Sequence, residues 1–176
     1  MSDHTSRPPT GDPPAARIAE FWDDARPSAG RAGPAGASGE RSADAVPPPA
    51  WSFGDSPGLA DELLALVLQG RKTAAASLVV EFEDVGDPVP APGDLSIVLD
   101  GRGEPRALIR TVRVEIVPFA EVTAEHAHLE GEGDRTLESW RTEHERAWRD
   151  ALASLGRELD PSMLVVCERF TVLFPA

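Results

Sequence analysis

The chain has 176 residues, of which 41% are hydrophobic, and this length and composition predict one folded domain with a tail. Its net charge of -13 excludes a protein that coats nucleic acid through many lysine and arginine contacts to phosphate, so no extended duplex DNA partner is expected. A small local basic pocket remains compatible with this charge.

Cys167 is the single cysteine, which excludes a disulfide framework and a cysteine metal cluster. No apolar run is long enough to cross a bilayer, and the start of the chain lacks the apolar core of a signal peptide. We therefore expect a cytoplasmic protein with no membrane partner. No sequence feature sets the oligomeric state.

Residues 1–50 are predicted to form an N-terminal extension, ahead of a main domain at residues 51–176. An aromatic pair and two further apolar residues recur at helical spacing and predict a short helix over 15–26. Residues 27–50 are almost all proline, glycine, alanine, serine and arginine, which is typical of a linker.

The first element of the main domain is a predicted helix. Ser56 is a suitable N-cap, Pro57 suits the first helical position, and Gly70 is a suitable C-cap after an apolar stripe. Apolar and polar residues then alternate over 77–83, which predicts a half-buried strand. Three prolines predict a loop over 84–93.

The rest of the domain combines strand-like and helix-like patterns, with a hairpin turn signal, Asp-Gly-Arg-Gly, after its first strand. The predicted strands are 94–99, 105–117 and 164–174, and the predicted helices are 121–129 and 136–155. The strands are mostly consecutive, and the helices lie before, between and after them. The order of elements therefore predicts an α+β fold, a small, curved, largely antiparallel β-barrel flanked by helices.

Lys72 is the only lysine, since the other 16 basic residues are arginines. Unlike arginine, lysine can lose its proton when it is desolvated, so Lys72 is a candidate general base or electrostatic clamp. A chance occurrence on a loop is the alternative. A nearby carboxylate would hold Lys72 charged, and Glu115 is the candidate. The hydroxyl groups of Thr73 and Ser77 would point away from Lys72 in an extended segment.

Two charged residues interrupt otherwise apolar strand faces. Arg110 lies on the apolar face of the predicted strand 105–117, and Glu168 lies on that of the last strand. An isolated buried charge is costly, so we expect these two side chains to pair. The pair would either fix the strand register or line a polar pocket at one end of the barrel. Arg113 and Glu115 are predicted on the face opposite Arg110.

The histidines do not suggest a metal site. His126 and His128 are two residues apart on a predicted helix, so their side chains diverge. His144 lies on an apolar helix stripe, which is typical of a core histidine with a hydrogen-bond partner. We predict no metal and no other cofactor.

Seven short motifs resemble the ASCH-domain family, in order along the domain. They are Trp-Ser-Phe-Gly-Asp-Ser-Pro at 51–57, Gly-Arg-Lys-Thr at 70–73, Pro-Gly-Asp at 92–94, Val-Glu-Ile-Val-Pro-Phe at 114–119, Glu-Gly-Glu-Gly-Asp at 130–134, Trp-Arg at 140–141 and Val-Cys-Glu-Arg-Phe at 166–170. The predicted helix over 15–26 is also similar to the N-terminal extension of bacterial members.

The resemblance implies a PUA-like β-barrel and a link to RNA. Some members are reported as single-strand ribonucleases, and a compact relative as an amidohydrolase on N4-acetylated cytidine. That relative works with a lysine, a threonine three residues later and a glutamate on a later strand. Lys72 matches the lysine and Glu115 is the best match for the glutamate, but Ala75 stands at the threonine position. Thr73 or Ser77 would have to supply the hydroxyl group.

We therefore expect a protein that acts on RNA or a modified nucleoside, as a metal-independent hydrolase with Lys72, Glu115 and Thr73 as catalytic residues. The candidate substrate-binding residues carry charged or hydroxyl side chains: Arg71, Ser77, Arg110, Arg113, Glu168 and Arg169. The alternative is a non-catalytic RNA- or nucleotide-binding module. A third interpretation is a scaffold whose polar barrel end only satisfies its own charges.

Overall fold

A computed structural model describes residues 15–31 and 46–175. The helices are α1 (Ala15–Arg31), α2 (Pro57–Leu68), α3 (Val79–Val85), α4 (Ala124–Glu130) and α5 (Leu137–Ser154). The strands are β1 (Ala50–Trp51), β2 (Ala74–Leu78), β3 (Leu95–Leu99), β4 (Pro105–Pro118) and β5 (Leu164–Phe174). Most of the predicted linker, 32–45, and the first 14 residues lie outside the described residues.

The five strands form one sheet in the order β1-β3-β4-β5-β2. The β1–β3 pair is parallel and the other three pairs are antiparallel. The α+β class and the largely antiparallel sheet are therefore confirmed. Among the described residues the pairings leave the sheet open between β1 and β2, so a closed barrel stays a prediction.

The predicted N-cap of α2 is confirmed, whereas its C-cap is Gln69 and the suggested Gly70 follows it. Ser56 caps α2, and its side chain accepts a hydrogen bond from the Leu59 N–H group at 3.4 Å. Thr136 caps α5 in the same way through the Ser139 N–H group. The predicted end of the first helix was too early, because α1 continues to Arg31. No helix within the described residues has both the length and the apolar character needed to cross a membrane.

The predicted strand over 77–83 is wrong. The strand β2 begins earlier, at Ala74, and ends at Leu78, so only the first two predicted residues lie in a strand, and α3 begins at Val79. The Glu81 side chain accepts a hydrogen bond from the Leu78 N–H group at 2.7 Å, which stabilises the first turn of α3. Gly86 then ends the helix with a left-handed φ of 75°. Seven alternating residues are compatible with a strand or a short helix. Here the hydrogen bond from Leu78 to Glu81 at the start and Gly86 at the end stabilise the helix.

Helices cover both faces of the sheet. On one face α2 packs over the middle strands, with a core of Phe53, Leu63, Leu64, Val67, Val98, Ala107, Ile109 and Phe170. On the other face α4 and α5 cover the end that carries Leu78, Val165 and Cys167. The helix α1 covers the opposite end of that same face, where Trp22 and Ala25 pack on β3 and β4. Part of this second face lies between α1 at one end and α4 and α5 at the other.

A β-bulge at Val112 changes which side chains share a face of β4. Thr111 lies opposite Phe170 of β5 and Arg113 lies opposite Arg169, so Val112 is the extra residue. A one-residue insertion moves every following side chain to the other face of the sheet. The sequence prediction that Arg110 and Arg113 lie on opposite faces is therefore wrong, because the bulge puts both on one face.

We predict that Gly131→Ala destabilises the fold more than Gly86→Ala. Both glycines follow a short helix with a left-handed φ, 73° and 75°. A Cβ atom at Gly131 would lie 2.4 Å from the Arg71 carbonyl oxygen, whereas at Gly86 it would meet nothing within 4 Å. Gly86→Ala should cost about 1–2 kcal/mol for the conformation alone, and Gly131→Ala should cost more.

Urea unfolding of the two variants measures the difference directly, since the conformational cost is common to both. Equal losses of unfolding free energy would show that the close approach between Gly131 and Arg71 does not constrain the fold.

Candidate functional site

Lys72 lies in the segment that joins α2 to β2, and its side chain is 2% exposed. The segment is fixed by backbone bonds, since the Lys72 N–H group donates to the Leu66 carbonyl at 3.0 Å. The ammonium nitrogen, Nζ, lies 2.5 Å from Glu132 Oε1 and 3.4 Å from Glu130 Oε2. It also lies 5.2 Å from the centre of the Phe53 ring. A buried amine therefore meets two carboxylates from a distant part of the chain.

Glu130, at the end of α4, is the centre of these contacts. Its side chain is 2% exposed, and its Oε1 atom accepts a hydrogen bond from Trp140 Nε1 at 2.6 Å. His126 Nε2 lies 3.0 Å from the same oxygen. His144 Nε2 lies 3.5 Å from Oε2, the oxygen that faces Lys72. Both oxygens of this buried carboxylate thus have polar partners.

We call this group of six residues the Lys72 cluster. Its members are Lys72, Glu130, Glu132, His126, Trp140 and His144.

Electrostatics keeps Glu130 ionised. Burial alone would raise the pKa of the Glu130 carboxyl, but the Lys72 charge and the hydrogen bonds from His126 and His144 hold this pKa well below its usual range. Burial alone would lower the pKa of His144, but its hydrogen bond and attraction to Glu130 outweigh burial and raise it. The cluster is therefore a set of charges that stabilise one another.

The chain turns tightly around Lys72. The Thr73 N–H group donates to the Leu129 carbonyl at 2.8 Å, which ties the start of β2 to the end of α4. The left-handed Gly131 reverses the chain, and Glu132 then reaches back to Lys72. Arg71 Nη2 donates to the Gly133 carbonyl at 3.1 Å. The Glu-Gly-Glu-Gly segment thus wraps around the Arg-Lys pair.

The expected partner of Lys72 was wrong. Glu115 pairs with Arg113 at 2.9 Å, and its side chain is 46% exposed. Sequence analysis missed Glu130 and Glu132, although both stand in the Glu-Gly-Glu-Gly-Asp motif. The four-residue spacing of His126 and Glu130 on one helix face was a signal that could have indicated a buried carboxylate.

The two candidate hydroxyl groups lie near the cluster in sequence but have other surroundings. Thr73 Oγ1 donates to the Leu129 carbonyl at 3.4 Å. Ser77 is half-buried on β2, opposite Val166 of β5. Ala75 lies opposite Glu168 and carries no hydroxyl group. These placements leave the catalytic role of Thr73 a prediction.

The expected Arg110–Glu168 pair is also wrong. Arg110 lies opposite Thr171, and its guanidinium donates to the Ala29 carbonyl of α1 at 2.5 Å. Glu168 points to the other face and accepts a hydrogen bond from Thr111 Oγ1 at 2.5 Å. Burial raises the pKa of Glu168, and this hydrogen bond offsets the rise only in part. The bulge at Val112 explains why simple alternation failed to assign these contacts.

Three arginines share the part of the second sheet face that the helices leave uncovered. Arg113 is exposed, whereas Arg110 and Arg169 are half-buried. Arg113 and Arg169 are direct cross-strand neighbours, and Arg110 lies opposite Thr171, two residues beyond Arg169. We call Arg110, Arg113 and Arg169 the arginine face. It lies between the end of the sheet that α1 covers and the end that α4 and α5 cover.

The carboxylates beside the arginine face are exposed. Arg169 lies 3.1 Å from Glu125 of α4, whose side chain is 70% exposed. Arg113 is itself 55% exposed and pairs with Glu115 on its own strand. Exposed ion pairs are worth about 0–1 kcal/mol, so an incoming anion can displace these partners.

The remaining candidates are part of the core or the surface. Burial raises the pKa of the Cys167 thiol to about 12, so it is not a nucleophile at neutral pH. His126 is buried and His128 is exposed, which confirms that they diverge, and His144 packs between Trp140 and Trp148. Cavities of about 310 and 230 Å³ lie along α5 and beside α3, away from Lys72 and the arginine face.

We predict that Lys72→Met destabilises the protein by about 3–5 kcal/mol, because it leaves the Glu130 and Glu132 carboxylates without their cation. The matched control is Arg146→Met, which removes an exposed cation that lies 2.6 Å from Glu143. The control should change the unfolding free energy by less than about 1 kcal/mol. Urea unfolding measures both, and a Lys72→Met variant as stable as the wild type would contradict the cluster's structural role.

Comparisons with known proteins agree with the motifs. The family model of the ASCH domain matches residues 49–174. No match was found among curated proteins. The crystal structure of protein EF3133 from Enterococcus faecalis V583 is similar, with a TM-score of 0.75 and 33% identity over 89% of this chain and 88% of that one. An ASCH domain from Lactobacillus crispatus JV V101 has a TM-score of 0.76 and 26% identity, over 90% of this chain and 94% of that one. The chain therefore belongs to the ASCH-domain family, with its PUA-like fold.

Proposed function

We propose that this protein is an RNA-binding module, and that the phosphates of single-stranded RNA or of a nucleotide bind the arginine face. The observation that carries the proposal is the bulge at Val112, which places Arg110 and Arg113 on the same sheet face as Arg169. Without the extra residue, Arg113 would lie on the opposite face from Arg110. The membership in the ASCH family supports RNA as the ligand.

The chemistry of the three side chains suits phosphate. A guanidinium group presents a planar fork of N–H donors that matches two phosphate oxygens, and it keeps its charge at any physiological pH. Cross-strand neighbours such as Arg113 and Arg169 are separated by about 5 Å at Cβ, so both can approach one phosphate or two successive phosphates. The exposed partners Glu115 and Glu125 can give way to the ligand.

The distribution of charge favours the binding of a few nucleotides over the binding of a long duplex. Residues 70–115 contain six basic and eight acidic side chains, whereas residues 116–160 contain five and eleven. Of these two segments, the one that contains α4 and α5 has the larger acidic excess, six charges against two. A long duplex would meet that excess, while a few nucleotides across the sheet would not.

The contacts of Lys72 support a structural role in the RNA-binding module. Its amine is 2% exposed and faces two carboxylates, so its charge is already compensated. Ala75 offers no nucleophile, and the Thr73 hydroxyl is directed to the Leu129 carbonyl. In this proposal Lys72 holds α4 against β2 and does not touch the ligand.

A second candidate is a metal-independent hydrolase, a ribonuclease or an acylcytidine amidohydrolase. The observation that favours it is the buried contact of Lys72 with Glu130, since an amine and an acid in a dehydrated site can exchange protons with a substrate. A substrate would reach this pair through Glu132, because the Glu132 side chain is 32% exposed. Glu115 would act as the base for a 2′-hydroxyl group.

Binding to a short fluorescein-labelled single-stranded RNA, followed by fluorescence anisotropy, tests the first proposal. Arg113→Ala and Arg169→Ala should each weaken binding, and each should reduce the slope of log K against log salt by about 0.7, the value for one lost phosphate contact on a single strand. Arg149→Ala on α5 removes the same charge from an exposed ion pair and is the matched control. Equal affinities of all four proteins would contradict the proposal.

Turnover separates the two candidates. Wild-type protein is incubated with the same RNA and with N4-acetylcytidine, and the products are separated by chromatography. The binding module predicts no product. Product formation that Glu132→Gln abolishes, in a variant with wild-type unfolding free energy, would instead support the hydrolase, and Glu115→Gln would test the predicted base.

A further inference from the structure

The second half of β4 is an open edge of the sheet. The strand β3 pairs with β4 only from Pro105 to Arg110, and β5 pairs on the other side as far as Pro118. Within 15–31 and 46–175, the pairings of residues 112–118 are all to β5. A free strand edge carries a row of unpaired N–H and C=O groups and is a template for another strand.

The side chains on this edge are exposed, and apolar and charged residues are arranged symmetrically about Val114. Val112 is 52% exposed and Ile116 is 46% exposed, and each lies two residues along the chain from Val114. Arg113 and Glu115 stand between them, with side chains that are 55% and 46% exposed. The order along the strand is apolar, basic, apolar, acidic, apolar.

We propose that a second copy of this chain pairs with this edge, antiparallel and about a two-fold axis at Val114. In this register Arg113 of each copy lies directly opposite Glu115 of the other, and Val112 lies opposite Ile116. Both charged contacts are attractive and both outer contacts are apolar. Charged residues on an edge usually oppose such pairing, but here the two signs are complementary under the two-fold axis.

The dimer is argued from the strand edge and does not require RNA binding, but both proposals use Arg113, and the dimer has a consequence for the arginine face. Residues directly opposite each other on antiparallel strands point to the same side of a sheet. The arginine faces of the two copies would therefore lie on the same side of one continuous sheet. The contact involves a short strand, so the dimer dissociates on dilution.

Reciprocal charge substitutions test the pairing, with mass measured by light scattering over a dilution series. Wild-type protein should pass from the 18.8 kDa monomer to twice that mass as concentration rises. Arg113→Glu and Glu115→Arg should each remain monomeric, because like charges then face each other. An equimolar mixture of the two variants should form a dimer, because the opposite charges are restored in the mixed pair.

Substitution of an exposed apolar residue on the edge gives a second test of the dimer. It leaves Arg113 and Glu115 unchanged. Ile116→Lys should shift the dilution curve towards monomer, whereas Leu155→Lys, at a similarly exposed apolar residue beyond α5, should not. A wild-type mass of 18.8 kDa at all concentrations would overturn the proposal. Dimers of Arg113→Glu or Glu115→Arg as stable as those of the wild type would overturn it as well.

Discussion

The ammonium group of Lys72 has been removed from water, and the surrounding fold is arranged to compensate its charge. A buried cation requires a carboxylate within contact distance, and Glu130 and Glu132 provide it at 3.4 and 2.5 Å. Glu130 needs further donors in turn, which come from His126 and Trp140. One charge thus joins the start of β2, the end of α4 and the helix α5.

Periodicity and capping residues were sufficient to predict α2, α5, β3, β4 and β5, because each has a long pattern or a clear end signal. They failed at α3, because its seven residues fit both the strand period and the helix period. The hydrogen bond that Glu81 accepts from Leu78 favours the helix. They failed again along β4, because a bulge such as that at Val112 leaves no mark in the pattern of residue types. Lys72 was identified as unusual, but its partners depend on how Gly131 turns the chain.

The protein separates two sets of charges by burial. The Lys72 cluster is enclosed and satisfied internally, so it contributes to the position of α4 on the sheet. Arg113 and Arg169 of the arginine face pair with the exposed carboxylates of Glu115 and Glu125, so their charges remain available to a ligand. Both depend on the same local geometry, because α4 carries Glu125, which faces Arg169, as well as Glu130. This arrangement lets an acidic protein keep a small basic surface.

Because Lys72 is the only lysine, nuclear magnetic resonance of protein labelled with ¹⁵N-lysine reports one side-chain nitrogen. An enclosed ammonium group held by Glu130 and Glu132 should give an Nζ–H signal at neutral pH whose protons exchange slowly with water, and urea should abolish that signal. Protons that exchange in the folded protein as fast as in the unfolded chain would contradict a buried, ion-paired Lys72.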